Sequence, residues 1–328
     1  MDAGQLETEL QAVLDGHGLP VPDTYDAAPE SLEPVVLRKN VCYIVLGILL
    51  NEQGEVLMIQ EAKRACYGKW YLPAGRMELG ETILEALKRE VKEETGLECE
   101  PGTLLVVEER GPCWIRFTFL AEPKGALGGF LKAAQDADAE SLQAKWWDRE
   151  SPLPLRGKDI LPLIDVAVRY RANPWHPITL PKEMPCSVIS QRVVATFVNS
   201  SKDLWVLQNT VGKPHLPVTV CNMSPTELRS SIKVAIYRLI KQCILLPQVQ
   251  LKTHGILGLQ HLGKDPVVKC DGVCFNVLVT VTHANQRLCD TPPELHGEDF
   301  QWLRVEEGTL KSALLQRLST FAVVPIYS

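Results

Sequence analysis

The sequence predicts an α/β fold in two domains, each a set of strands packed with helices. Three observations lead there. Strand-like runs of β-branched and apolar residues flank one strongly amphipathic, acid-rich helix. The same order of elements then recurs in the second half of the chain. A proline-rich stretch lies between the two. At 328 residues and 45% hydrophobic content, the chain is long and apolar enough to bury two such cores.

Residues 5–15 have the spacing of a short amphipathic helix, and GLPVPDTYDAAPESLEP after it is rich in Pro, Asp and Ser. Residues 1–36 are therefore expected to be a flexible N-terminal segment. VCYIVLGILL and EVLMIQE, joined by the turn NEQG, read as a β-hairpin. WYLPAG follows, then the acidic helix. TLLVVEE, CWIRFTFLAEP and AKWWDR read as strands, GALGGFLKAAQDADAE as a loop and KDILPLIDVAVRYR as a helix. These elements make a first domain over residues 37–170.

Residues 171–186 form a Pro-rich linker, in which Pro174, Pro177, Pro181 and Pro185 suit an extended spacer. The pattern then restarts over residues 187–328. QRVVATFV and LWVLQN repeat the hairpin, and KPHLPVT stands where KWYLPAG stood. SPTELRSSIKVAIYRLIKQCILL is the helix, HGILGLQHL and GVCFNVLVTVTH are strands, and FQWLRVEE matches AKWWDRE. The shared Leu-Pro dipeptides, Leu72-Pro73 and Leu216-Pro217, mark the register of an internal duplication.

The acidic helix carries the chemistry. Thr82 and Glu85 form a capping box at its start, and Gly96 suits its C-cap. Ile83, Leu84, Leu87 and Val91 form an apolar stripe. Glu90 and Glu94 fall beside that stripe, and Glu93 lies on its edge. Carboxylates turned toward a core are costly unless paired, and one arginine, Arg89, faces three glutamates. A divalent cation with a preference for oxygen ligands is the natural partner.

The spacing Gly75, five residues, Glu81, seven residues, Arg89-Glu90-Val91, one residue, Glu93-Glu94, one residue, Gly96-Leu97 resembles the Nudix box without a departure. The resemblance implies a Nudix α/β/α sandwich, with a second, degenerate Nudix-like α/β domain behind it. It implies Mg²⁺, with Mn²⁺ as substitute, held by Glu90, Glu93, Glu94 and the Gly75 carbonyl. Arg89 would orient the glutamates, and Glu81 would be structural or assist through water. A further carboxylate from a loop beyond the box is expected; Glu140 is the candidate, with Glu108 and Glu109 behind it. The implied reaction is phosphoanhydride hydrolysis. The cation offsets the charge of the diphosphate and acidifies water, and a carboxylate takes the proton.

Within the family, RMELGE, WYLPAG, VEERGPCWIRF and ADAESLQAKW resemble members that hydrolyse 8-oxoguanine nucleoside diphosphates. That implies 8-oxo-dGDP and 8-oxo-GDP as substrates, yielding monophosphate and phosphate and so cleansing the nucleotide pool. The box alone leaves open ADP-ribose or another nucleoside diphosphate linked to a further group as the alternative, and Pro112, fifteen residues beyond Leu97, points to ADP-ribose among them. Strand alternation sends Leu57 or Met58 toward a base pocket. Trp146, with Trp147 beside it, offers a stacking surface. Asp159 is placed either to accept a hydrogen bond from an oxidised purine or to cap a helix.

The second half departs from the box. Leu228 to Leu251 contains no Asp or Glu, while Arg229, Lys233, Arg238 and Lys241 make it basic. This half is expected to be non-catalytic, at most a nucleotide-binding module.

A net charge of -6 argues against general nucleic-acid or acidic-membrane binding. No apolar run approaches membrane-spanning length, and the N-terminus is acidic where a signal peptide is basic. Ten scattered cysteines suit free thiols in a reducing compartment. The expected location is the cytoplasm, with the nucleus possible. The expected partner is a small nucleotide, and the sequence names no protein partner.

Overall fold

The computed structural model describes residues 3–109, 114–124, 128–221, 231–263, 270–285, 290–306, 308–320 and 322–327. In chain order the elements are α1 (Ala3–Leu14), β1 (Cys42–Leu49), β2 (Val56–Glu61), β3 (Trp70–Tyr71), β4 (Ala74–Arg76), α2 (Ile83–Thr95), β5 (Cys99–Glu109), β6 (Trp114–Pro123), β7 (Ser141–Trp147) and α3 (Ile160–Ala172). The second half contributes β8 (Ser190–Val198), β9 (Leu204–Asn209), β10 (Val218–Val220), α4 (Ser231–Lys241), β11 (Val249–Gln260), β12 (Cys274–His283), β13 (Phe300–Arg304), α5 (Gly308–Thr320) and β14 (Ile326–Tyr327). Sequence reading leaves α5 unassigned. Of its residues only Leu310 and Leu314 are buried, too few for a clear stripe.

The first expected hairpin divides between two sheets. After a turn in which the Glu55 N–H donates to the Asn51 carboxamide at 2.9 Å, one bridge joins Leu50 to Val56. Beyond it β1 enters a sheet ordered β14-β5-β6-β1-β4, and β2 enters one ordered β3-β2-β7. Both strands are largely buried, so each needs cover on both faces. The parallel ladder from Cys42–Trp114 to Leu49–Ala121 gives β1 more pairing than a hairpin with β2 offers. Helix α2 packs against this arrangement. Its capping box forms as expected, and Gly96 ends it at φ 79°, in the left-handed region glycine tolerates.

The second half repeats the pairing pattern. β8 is parallel to β12 and antiparallel to β10, as β1 is to β6 and β4. β9 pairs antiparallel with β13, as β2 does with β7. The β5–β6 ladder skips a residue between Pro101 and Thr103 and again between Leu104 and Val106. The β11–β12 ladder skips between Thr253 and Gly255 and between Ile256 and Gly258, at the same spacing. Matching bulges are positional features of a backbone plan, so their recurrence supports duplication beyond element order.

The N-terminal segment is not a loose lead-in. Leu6, Leu10 and Val13, on one face of α1, are buried against Val194, Leu204, Leu216 and Leu257 of the second half. Further on, the Asp26 carboxylate accepts from the Val218 N–H at 2.7 Å and from Asn209 Nδ2 at 2.9 Å, and pairs with His215 at 3.1 Å. The buried Arg192 guanidinium donates to the Leu19 and Pro20 carbonyls. Composition marked this stretch as loop, but its few polar and apolar anchors all find partners in the other half.

The halves also touch directly. Glu109, on β5, accepts from the N–H of Ser231, the first described residue of α4, at 2.8 Å. β14 joins the edge of the first sheet beside β5. One apolar cluster runs from Tyr43, Val45 and Phe117 to Phe275, Val277 and Ile236.

Candidate functional site

Site geometry starts at the contact of α2 with β4. Gly75 lets the two elements approach closely there: a Cβ built on it falls 2.0 Å from the Glu90 carboxyl carbon and would displace that carboxylate. Glu94 turns inward, 1% exposed, and accepts from the Ala74 N–H at 2.9 Å. Burial pushes its carboxyl up to about 8, and the neighbouring Glu90 charge adds to the rise. Burial also raises Glu90, against the pull of Arg89.

Arg89 gathers the others. Its guanidinium donates to both oxygens of Glu81, to Glu90 at 2.8 Å, to Glu93 at 3.0 Å and to the Arg76 carbonyl at 3.1 Å. Burial works against the Glu81 charge, but these bonds outweigh it and hold the carboxyl below its usual range. Glu93 remains half exposed, facing the cavity. Among the described residues no three metal-ligating side chains converge as a ready cluster, since Arg89 lies between them. The residues nevertheless fit a cation. Gly75, without a Cβ, packs against the Glu90 carboxylate, and Glu90 and Glu94 are buried with too little positive charge to offset them.

The cavity in front of this cluster encloses about 1240 Å³. Gly75, Glu90, Glu93 and Glu140 line one side, and Asp159, Tyr71, Trp114 and Arg116 another. Asp159 stands at the start of α3 but makes no side-chain cap bond. Its carboxylate instead accepts from the Tyr71 hydroxyl at 2.7 Å and from Arg116 at 3.2 Å. Arg116, 4% exposed, is held from behind by Glu108 at 2.6 and 2.9 Å. Its guanidinium lies 5.6 Å from the Trp114 ring. Lys63, which lies 3.9 Å from Glu94, and Arg156 and Lys158 bring positive charge to the same space.

The box residues and Glu140 are thus brought together, and Asp159 joins the cavity wall. The expectation for Leu57 and Met58 is corrected. Both are fully buried, Leu57 in the core shared with the second half and Met58 in the core beneath α3. β2 is covered on both faces, so alternation exposes neither. Trp146 is half-buried against the core and does not line the cavity, and Trp147 is buried, its ring N–H donating to the Ser151 carbonyl. Glu108 and Glu109 act as structural partners of Arg116 and α4. Pro112 lies outside the described residues. Sequence reading missed Tyr71, Trp114 and Arg116. Their signal was weak, although an arginine amid the apolar run CWIRFTFL needs a buried carboxylate somewhere.

The NUDIX domain model matches residues 42–163. A Homo sapiens protein named 8-oxo-dGDP phosphatase NUDT18 is 55% identical over 320 residues, 97% of each chain. The chain belongs to the Nudix hydrolase family. The Mus musculus protein of the same name is also 55% identical, and that of Danio rerio is 47% identical over 98% of each chain. Nudix hydrolases generally use divalent metal ions, in accord with the buried carboxylates beside Gly75. Because these relatives align over nearly their whole length, the similarity includes the second half, beyond the Nudix match itself. Among the described residues of this Nudix protein the eight cysteines are free, and no helix is long and apolar enough to cross a membrane.

Proposed function

We propose that the chain hydrolyses 8-oxo-dGDP and 8-oxo-GDP to the monophosphate and phosphate, using Mg²⁺ or Mn²⁺. The carrying observation is the 55% identity, over 97% of both chains, to a protein named for 8-oxo-dGDP. A bound cation offsets diphosphate charge and acidifies attacking water. Glu90, Glu93, Glu94 and the Gly75 carbonyl would hold it. Arg89, bonded to Glu81, Glu90 and Glu93, keeps these carboxylates apart and oriented. Glu140, which lines the same cavity, is our candidate to take the proton. Lys63 supplies positive charge for the phosphates.

The wall of Asp159, Tyr71 and Arg116 supports a role in reading the purine edge. Asp159 is an acceptor already aligned by two donors, and a carboxylate suits the extra N–H that oxidation gives a guanine ring. Trp114, not Trp146, presents the aromatic face on this cavity.

We read residues 187–328 as a degenerate Nudix-like domain without catalysis. In α2 the buried positions from Leu87 onward are Leu87, Glu90, Val91, Glu94 and Thr95. In α4 they are Ile232, Ala235, Ile236, Leu239 and Ile240. The spacing is the same, so Ala235 and Leu239 stand in place of Glu90 and Glu94. Thr219 stands in place of Gly75, opposite Gln191 as Gly75 is opposite Val45. Asp26 takes the Val218 N–H as Glu94 takes that of Ala74. These replacements leave no carboxylate at those α4 positions for a cation.

A panel of 8-oxo-dGDP, dGDP, 8-oxo-dGTP and ADP-ribose with Mg²⁺, read as released phosphate or monophosphate, tests the substrate. We expect kcat/KM to be highest for 8-oxo-dGDP. A higher value for ADP-ribose would replace this reading.

A further inference from the structure

The second half reaches the Nudix box at Gly263. A Cβ built on Gly263 falls 1.6 Å from the Glu81 carbonyl oxygen, 2.3 Å from its carbonyl carbon and 2.9 Å from the Thr82 nitrogen. These are backbone atoms on both sides, so no side chain can swing away to relieve the contact. The segment that leads to Gly263 is anchored. The His261 N–H donates to the Lys182 carbonyl at 2.9 Å, and the His261 ring is 1% exposed, edge-on to Tyr43 at 5.9 Å. Tyr43 in turn donates its hydroxyl to the Asp271 carbonyl at 2.7 Å.

On the other side of the contact stand the first residues of the catalytic helix. Thr82 caps α2. The Glu81 carboxylate takes two bonds from Arg89, and Arg89 also binds Glu90 and Glu93. We propose that the Leu262–Gly263 segment of the second half sets the position of Glu81 and, through Arg89, that of Glu90 and Glu93. Gly263 is then a positioning residue for hydrolysis, and the second half is a working part of the catalytic site. This rests on the reading of Arg89 as the residue that orients the box glutamates.

The test uses the full-length chain carrying Gly263→Ala, Glu81→Gln or both. A misplacement of this kind lowers kcat by roughly 10- to 100-fold while the nucleotide KM stays nearly unchanged. Mn²⁺ affinity, measured by calorimetry, weakens, and amide hydrogen exchange over residues 78–86 speeds up. Because Gly263 acts through Glu81, the double variant loses little more than Glu81→Gln alone; a general structural defect would multiply the two losses. Wild-type kcat and Mn²⁺ affinity in Gly263→Ala, or fully multiplied losses in the double variant, overturn the inference. If Gly263→Ala does not fold, His261→Ala, which loosens the same segment without adding bulk, takes its place in the cycle. Its independence from Glu81→Gln is equally decisive. A Glu81→Gln variant with wild-type kcat overturns the reading of Glu81 and Arg89 itself. Loss in Glu81→Gln with none in Gly263→Ala overturns only the role of the second half.

Discussion

Glu94 has its carboxylate inside the protein with one backbone N–H bond and a distant lysine for company. In the metal-free protein such a group is a cost, and replacing it with the isosteric amide changes stability by no more than about 1 kcal/mol. Its value lies in the charge. We expect Glu94→Gln, and likewise Glu93→Gln, to lower hydrolysis by at least about 100-fold while the thermal midpoint moves by only a few degrees. Phosphate release at saturating Mg²⁺, alongside thermal unfolding, checks both halves of this expectation. Full activity in both variants would remove the box from the mechanism. The glutamates were legible in the sequence because one helix sets their geometry, and helical spacing is a local rule. The Tyr71–Arg116–Asp159 network was not. Its members lie 45, 43 and 88 positions apart and meet only after three elements have packed.

Helices were legible where both periodicity and caps were present, as in α2, and α5 was missed because it offers two buried leucines and little else. Strands were legible as strands but not as pairs. β1 and β2 looked like one hairpin, and only long-range pairing with β6 and β7 decides where each belongs. The largest departure concerns α1, whose burial face depends on a partner more than a hundred residues away. Leu10 is fully buried in that contact. Leu10→Ala should therefore destabilise the chain by about 2–5 kcal/mol, read from urea unfolding. A change near zero would mean that the N-terminal segment is loose after all.

The same segment carries a pH-sensitive tie. The hydrogen bond to Asp26 raises the His215 pKa above its ordinary value, against the opposing effect of burial. A raised folded pKa favours the folded state through the protonated ring. The contribution is complete below the unfolded value of about 6.5 and disappears as pH rises through the folded one. Stability should fall across that window, and Asp26→Asn should flatten the fall. Urea midpoints between pH 6 and 9 measure the effect. An unchanged slope in Asp26→Asn would assign the dependence to another group.

At the scale of the molecule, the repeated order of elements was legible in the sequence, while the union of the two halves was not. Nothing local in the sequence announces that Phe117 packs 6.4 Å from Phe275, or that Glu109 accepts from the Ser231 N–H of α4. Apolar residues of both halves share one cluster, so the halves should melt together. Calorimetry should show one transition, with calorimetric and van't Hoff enthalpies in agreement. Two separated peaks, with activity lost in only one of them, would mean that the halves are independent.

Strand β14 gives this union a direction in time. Ile326 and Tyr327 pair with Val107 and Glu108 at the edge of the sheet that supports the Nudix box. On the ribosome, every strand of that sheet but one emerges early, and its edge then waits unpaired while the whole second half is made. An open edge is a template for unwanted pairing. The waiting nascent chain is exposed to aggregation until the late strand arrives and closes it. Ribosomes that stall anywhere in the second half would release chains with a complete Nudix box and an unfinished sheet.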